Sequence, residues 1–423
     1  MLIEFSVANF MSLRDRQTFS LYRGRGDELA ETNTFKAKAA SEFELLRSAA
    51  IYGPNASGKS NFVYALHIMQ VIVRESATGI KRGDNLPVMP FRLSQSTRLA
   101  PSEFEVTFIV DGIRYQYGFS ATAERVHQEW LLAYPKGRPQ HWFGREWNEQ
   151  SNSYDWDLGN NLMGEKKLWK KSTRDNALFL STAVQLNSEQ LQSVYDWFDK
   201  TLRMSGTEGL PAELSATLCE GKQKEHILNF MQMADLSISD VIVEKRPFDI
   251  DALPNEMPTV VKEVFAEDFK DKQFVEIKTV HKSAEGEQVL FEFNEESIGT
   301  QKFFAYAGPM IHVLNKGCVM FIDELHNSLH PKLVWLLINL FHSNEYNPKN
   351  AQLIFTTHET SILNQDVFRR DQIWFCEKGK EQETNVYPLT DFSPRKGREN
   401  LELAYLSGRY GALPYLRPHE SLT

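Results

Sequence analysis

The chain has 423 residues, 42% of them hydrophobic and 24% charged, with a formal net charge of −9. Such a composition excludes a disordered or low-complexity chain and allows two or three domains, or one large domain with an insertion. The acidic balance argues against a protein coated with nucleic acid, and no apolar run reaches the roughly 18–20 residues of a membrane helix, so no membrane partner is expected.

In chain order, the first ten residues alternate apolar and polar (Ile3, Phe5, Val7). They predict a strand, not the basic start and apolar block of a signal peptide. Thr18–Tyr22 predicts a second strand. The apolar run Leu46–Tyr52 enters a glycine-rich turn, as a buried parallel strand would. Ser60–Glu75 follows with apolar residues at helical spacing (Phe62, Ala65, Leu66, Met69, Val71, Ile72). Phe104–Val110 and Ile113–Ser120 flank Asp111-Gly112 and predict a hairpin. Residues 135–175 are aromatic and polar without a clear period. Residues 187–235 read as helical, with a loop near Ser205–Pro211, and residues 246–272 as an acidic surface excursion. Strands are expected at Phe274–His281 and Gln288–Phe293, a helix at Thr300–Leu314, a buried strand at Cys318–Ile322, a helix at Pro331–Phe341 and a buried strand at Gln352–Thr356. Cys219, Cys318 and Cys376 are isolated and without CxxC spacing, so a reducing cytoplasm is expected rather than a disulfide or zinc framework.

Chemistry concentrates at four places. Gly53-Pro-Asn55-Ala-Ser57-Gly58-Lys59-Ser60, followed by Asn61, fits the phosphate-binding loop G-x-x-x-x-G-K-[ST] in full. Its glycines let backbone N–H groups face phosphates, and the following helix adds its positive end. Lys59 reaches the β- and γ-phosphates, and the Ser60 hydroxyl ligates Mg²⁺. Val319–Ile322 is an apolar strand ending in Asp323 and Glu324. An acid at a strand's C-terminal end suits Mg²⁺, and the second acid suits a general base for water. A second apolar strand ends in Thr357-His358, where the histidine suits a γ-phosphate contact, although a lone histidine is more often structural. The Ser297-Ile-Gly299-Thr300 turn opens a helix and suits an anion, although such turns are commonly plain caps. Trp130, Trp142, Trp147, Trp156 and Trp169 lie among Arg138, Arg145 and Lys166–Lys171. Stacking on nucleic acid is one reading and domain core the more ordinary one.

The order P-loop, Ser-x-Gly turn, Asp-Glu strand, Thr-His strand resembles the ABC-type ATPase head of the SMC and Rad50 class. It resembles more closely the bacterial ABC-like AAA ATPases related to the overcoming-lysogenization-defect (OLD) nucleases, including RloA-like proteins and the ATPase subunits of the PARIS and Septu defence systems. The resembling pieces are Asn9-Phe10 with Ser12, the P-loop, Glu296–Lys302, Asp323–Pro331, Gln352–Glu359, Arg370–Phe375 and Tyr405–Pro414. Met11 stands where the class usually has an arginine, and Gln95 is the candidate Q-loop residue.

The resemblance implies an α/β P-loop head with an antiparallel β subdomain and a largely helical insertion. The expected division is 1–133 and 273–423 for the two halves of the head and 134–272 for the insertion. It implies that Ser297, Gly299 and Thr300 act as a signature motif, and Asn327 and Ser328 as a D-loop, on ATP bound by a second copy. A homodimer or higher even oligomer would then sandwich ATP and Mg²⁺. The implied role is an antiviral regulatory ATPase. It would sense a nucleic acid or phage protein and control a separately encoded nuclease or toxin, because about 65 residues after His358 are too few for a nuclease domain of typical size. A RecF- or Rad50-like repair ATPase is the alternative, disfavoured by the acidic charge and by the lack of a heptad arm.

Overall fold

The computed structural model describes residues 1–234, 236–247, 273–397 and 399–414, together with Pro258 and Lys262. The acidic excursion expected at 246–272 therefore lies almost wholly outside the described residues. The chain divides into two compact units: residues 1–207, 313–327 and 334–423 form the first, and residues 208–312 and 328–333 the second.

The first unit holds two large sheets. One is antiparallel, with strand order Ser153–Leu158, Gln140–Asn148, Val126–Tyr134, Ile113–Ala121, Ser102–Val110, Leu2–Ala8, Gln17–Ser20. Its alternation places Phe104, Val106 and Phe108, then Tyr115, Tyr117 and Phe119, in the interior. The expected hairpin forms: Val110 pairs with Ile113. Asp111 and Gly112 both take positive φ, 50° and 74°, the backbone that matches strand twist in a two-residue turn.

The other sheet has the order Leu202–Ser205, Val319–Ile322, Gln352–Thr357, Ser48–Tyr52, Ile373–Lys378, Thr384–Pro388. The first five strands run parallel and the last antiparallel. The middle strands are buried along their whole lengths, which is why they read as unbroken apolar runs. Register aligns their C-terminal ends: Ile322 sits opposite Phe355, and Thr357 opposite Tyr52. The helix Lys59–Glu75 buries Phe62, Ala65, Leu66, Met69, Ile72 and Val73. Phe62 meets Phe5 edge-on with ring centroids 5.4 Å apart, so helix and antiparallel sheet share one core. Each such fully buried side chain stabilises by roughly 1.5–3 kcal/mol. A parallel sheet carrying a P-loop, beside an antiparallel sheet, is a P-loop NTPase fold.

The second unit contains the helices Ala212–Cys219 and Lys224–Gln232 and residues 298–312 of the helix Ile298–Lys316. It also holds an antiparallel sheet in the order Asp240–Pro247, Gln273–Lys282, Gln288–Glu292.

Two differences from the sequence reading are informative. The antiparallel sheet does not stop at 133. Gln140–Asn148 and Ser153–Leu158 extend it, and residues 134–207 belong to the unit that carries the P-loop. The second of these strands alternates only between exposed and half-exposed positions, so its polar-aromatic sequence shows no apolar period. Leu202–Ser205, expected within a helical stretch, is a strand at the edge of the parallel sheet. At four residues it is too short for a pattern to show. The tryptophan-rich region follows the more ordinary reading in part: Trp142 and Trp169 are buried, and Trp130, Trp147 and Trp156 are half-buried. Arg125 lies 3.9 Å over Trp147, a cation–π contact within the fold.

Candidate functional site

The site is built at the aligned C-terminal ends of three parallel strands. Ser48–Tyr52 runs into the loop Gly53–Gly58 and then the helix Lys59–Glu75. Val319–Ile322 runs into Asp323 and Glu324, and Gln352–Thr357 into His358. The open end of a parallel sheet is where ligands bind in such folds.

Lys59 is buried, and its ammonium donates to the carbonyls of Gly53 at 2.7 Å and Pro54 at 3.0 Å. Burial lowers its pKa, while the charges of Glu324 and Asp323 act in the opposite direction. A cation drawn out of water and held only by neutral carbonyls gains from an incoming phosphate. Gly58 has φ +102°, and a Cβ there would strike Thr384 Oγ1. The loop thus needs glycine for conformation and for space. The Thr384 hydroxyl donates to the Ser57 carbonyl at 2.8 Å, and its oxygen lies 2.8 Å from Ser12 Oγ. Asn61 Nδ2 donates to the same Ser12 Oγ at 2.7 Å. A polar ring of Ser12, Asn61 and Thr384 therefore braces the P-loop from behind. The Ser57 hydroxyl is buried without a partner, whereas Asn55 is exposed at the loop tip.

Asp323 is buried. The Thr356 hydroxyl donates to Asp323 Oδ1 at 2.5 Å and accepts from the Glu324 N–H at 2.8 Å. One threonine on the neighbouring strand thus fixes both acids. Glu324 takes φ +55°, and its Oε1 lies 3.4 Å from His358 Nε2. His326 stands edge-on to His358 with centroids 5.3 Å apart, and its Nδ1 is buried without a partner. Burial lowers the His326 pKa, and the nearby His358 adds to that. The Asn327 N–H donates to the Glu324 carbonyl at 2.9 Å.

Ser60, Asn61 and Asp323 line one cavity of about 400 Å³ with Met11 and residues 204–207. A hydroxyl and a carboxylate are hard oxygen donors of the kind Mg²⁺ takes when phosphates and water complete its shell. Among the described residues no cluster of three or more His, Cys, Asp and Glu forms a metal cage. That set fits a nucleotide-borne Mg²⁺ better than an all-protein site. A second cavity, about 480 Å³, lies between Ser12, Asn61, residues 89–93, Lys378 and Gln382. The Q-loop candidate Gln95 is exposed beyond this lining. A third, about 870 Å³, joins Gly53–Ser57 and His358 to Glu377, Lys378, Tyr405, Leu406, Leu413 and Pro414.

Ser297, Gly299, Thr300 and Ser328 come together in the second unit. Ser297 Oγ accepts from the Thr300 N–H at 3.1 Å, and Gly299 faces the Ser328 carbonyl, which a Cβ would approach to 3.0 Å. The residues that motif spacing missed are Thr356, Thr384, His326 and Met204–Thr207. Only Thr356 had a signal, its place in the Thr-Thr-His run.

A family model described as "AAA domain, putative AbiEii toxin, Type IV TA system" matches residues 48–364. No curated protein matches the chain. Among solved structures, the SMC head domain from Thermotoga maritima is 13% identical, with 92% of this chain and 98% of that one covered and a TM-score of 0.39. A SMC head bound to the C-terminal winged-helix domain of ScpA is also 13% identical, with 91% and 96% covered and a TM-score of 0.37. Among the described residues no helix is long and apolar enough to cross a membrane.

Proposed function

The chain belongs to the AAA-domain family described as putative AbiEii toxin of a type IV toxin–antitoxin system, and on that footing we propose that it is an ATP-binding and hydrolysing regulatory subunit. In this reading it controls a separately encoded effector, a nuclease or toxin, in antiviral defence. The observation that carries the reading is the convergence of Lys59, Ser60, Asp323, Glu324 and His358 at one end of the parallel sheet.

Lys59 exchanges its two carbonyl partners for phosphate oxygens. The backbone of Gly53–Ser60, with Asn61, holds the phosphate chain. Ser60 and Asp323 hold Mg²⁺, which offsets phosphate charge. Glu324 orients the attacking water and accepts its proton, and His358 contacts the γ-phosphate. Thr356 keeps Asp323 and Glu324 in place before substrate arrives, so little reorganisation is needed during reaction. Ser297, Gly299, Thr300, Asn327 and Ser328 of a second copy cap the nucleotide, and ATP then acts as the glue of a homodimer. A nucleic acid or phage protein is the proposed trigger.

The test is assembly. Light scattering with ATP and Mg²⁺ is expected to show a dimer for the Glu324→Gln chain and a monomer for the same chain carrying Ser297→Arg. Equal assembly of the two would sink the sandwich reading.

A further inference from the structure

Glu296 immediately precedes Ser297 in the turn that opens the helix Ile298–Lys316. A single oxygen of its carboxylate collects two side chains from the central strand Gln273–Lys282. The Thr279 hydroxyl donates to Oε1, and His281 Nε2 lies 2.6 Å from the same atom. Thr279 is fully buried, and the Glu296 side chain is only 11% exposed. The backbone of Glu296 is held as well: Gln301 Nε2 donates to its carbonyl at 2.7 Å.

The turn beyond is closed by its own bonds. The Gln301 N–H donates to the Ser297 carbonyl at 2.9 Å, and Ser297 Oγ meets Thr300 Oγ1 at 2.9 Å. The turn is therefore rigid within itself, and Glu296 is the point where it is tied to the three-stranded sheet. The anchor is stiff in turn. His281 packs edge-on against Phe291 of the next strand with centroids 4.7 Å apart, and Phe293 packs against Phe304 of the helix at 5.3 Å.

We infer that Glu296 is a positioning residue: through Thr279 and His281 it sets the direction in which the Ser297 hydroxyl and the first N–H groups of the helix point. The inference rests on the proposed sandwich, in which those groups meet the phosphates of a nucleotide held by a second copy. A turn that is rigid but unanchored would swing as a body. Displacement of a charge-stabilising group by about 1 Å is enough to cost on the order of 100-fold in rate. A carboxylate is suited to the task because hydrogen bonds to it are shorter and stronger than neutral ones. It neither touches the reacting atoms nor belongs to the P-loop.

The experiment uses the full chain and four variants: Glu296→Ala, Glu296→Gln, His281→Phe and, as the control on the sandwich itself, Ser297→Arg. For Glu296→Ala, kcat and ATP-dependent dimerisation are expected to fall 10- to 100-fold. The Kd for ATP in the monomer stays within twofold, because the P-loop lies in the other unit. Glu296→Gln keeps an oxygen acceptor for Thr279 and His281 and is expected to recover most of the loss. His281→Phe removes one partner at a less buried position, and a several-fold loss of kcat is expected; this variant decides the matter if Glu296→Ala does not fold. Normal kcat and assembly in Glu296→Ala or His281→Phe, alongside a defective Ser297→Arg, would overturn the inference and leave the sandwich standing. Normal assembly of Ser297→Arg would instead overturn the sandwich, and the inference with it.

Discussion

Nε2 of His358 lies 3.4 Å from Oε1 of Glu324, which links the ends of two neighbouring parallel strands across the mouth of the candidate site. The relationship depends on Thr356, whose hydroxyl bonds both the Glu324 N–H and Asp323 Oδ1. If Glu324 is the general base proposed above, its loss should cost about 10²–10⁴-fold in turnover. Glu324→Gln is therefore expected to bind ATP as the unaltered chain does while releasing phosphate at least about 100-fold more slowly. Lys59→Ala is expected to lose ATP affinity itself. Phosphate release and equilibrium ATP binding separate the two, and a normal rate in Glu324→Gln would remove that residue from the reaction.

The close approach at Gly58 gives a second prediction. At φ +102° an alanine is strained, and its Cβ would collide with Thr384 Oγ1. Gly58→Ala should destabilise by about 1–3 kcal/mol and weaken ATP binding, because the Ser12–Thr384 ring must shift. Adding Thr384→Ala removes the contacts with Thr384 but neither the 2.9 Å approach to Ser12 Oγ nor the backbone strain, so only part of the loss should return. Urea midpoints for the single and double variants measure the two parts.

A buried ion pair away from the site gives a stability prediction. Arg145 and Glu129 form an ion pair with both side chains at 0% exposure. Glu129 also accepts from Tyr117 Oη at 3.1 Å, the Phe179 N–H at 2.7 Å and the Leu180 N–H at 3.0 Å. Removing one partner of such a pair typically costs about 3–5 kcal/mol, because the other is left buried and uncompensated. Glu129→Ala is expected to fall in that range by chemical denaturation, and Glu129→Ala/Arg145→Met to be less destabilised than Glu129→Ala alone. A double variant no better than the single would contradict this account.

His342 is an expected source of acid sensitivity. Its Nε2 meets Ser48 Oγ at 2.8 Å. Burial, aided by the charge of Arg47, lowers its pKa from 6.5 to about 3. The folded chain keeps the ring neutral while the unfolded chain protonates it below 6.5. Its contribution to stability is thus intact above pH 6.5 and is lost progressively as pH falls toward 3. At pH 5 the loss from this group amounts to about 2 kcal/mol. His342→Gln retains a hydrogen-bonding amide without the titration. Urea midpoints between pH 7 and 5 should therefore fall less steeply in that variant, and parallel slopes would exclude His342 as the source.

Motifs whose chemistry is local were legible without coordinates. The loop Gly53–Ser60, the acids at Asp323 and Glu324, and the Ser297 turn each show in a few consecutive residues, because backbone curvature and strand burial are written locally. The buried strands Ser48–Tyr52, Val319–Ile322 and Gln352–Thr357 were also legible as apolar runs, but their order in the sheet was not. Other features needed the tertiary fold. Thr384 reaches Ser12 across 372 positions, and Thr356 reaches Asp323 across 33. His326 was indistinguishable in sequence from any turn histidine until its ring lay against His358. Residues 140–158 extend the antiparallel sheet through two strands without a clear apolar period: Gln140–Asn148 buries the adjacent Trp142 and Phe143 and the charged Arg145, and Ser153–Leu158 alternates only between exposed and half-exposed positions. The sequence by itself thus determined which groups are candidates to meet phosphate, since that depends on residue type and local backbone. Only the tertiary structure decided what holds those groups in place, because a hydrogen-bond partner is chosen by proximity in space, which strand order and register set.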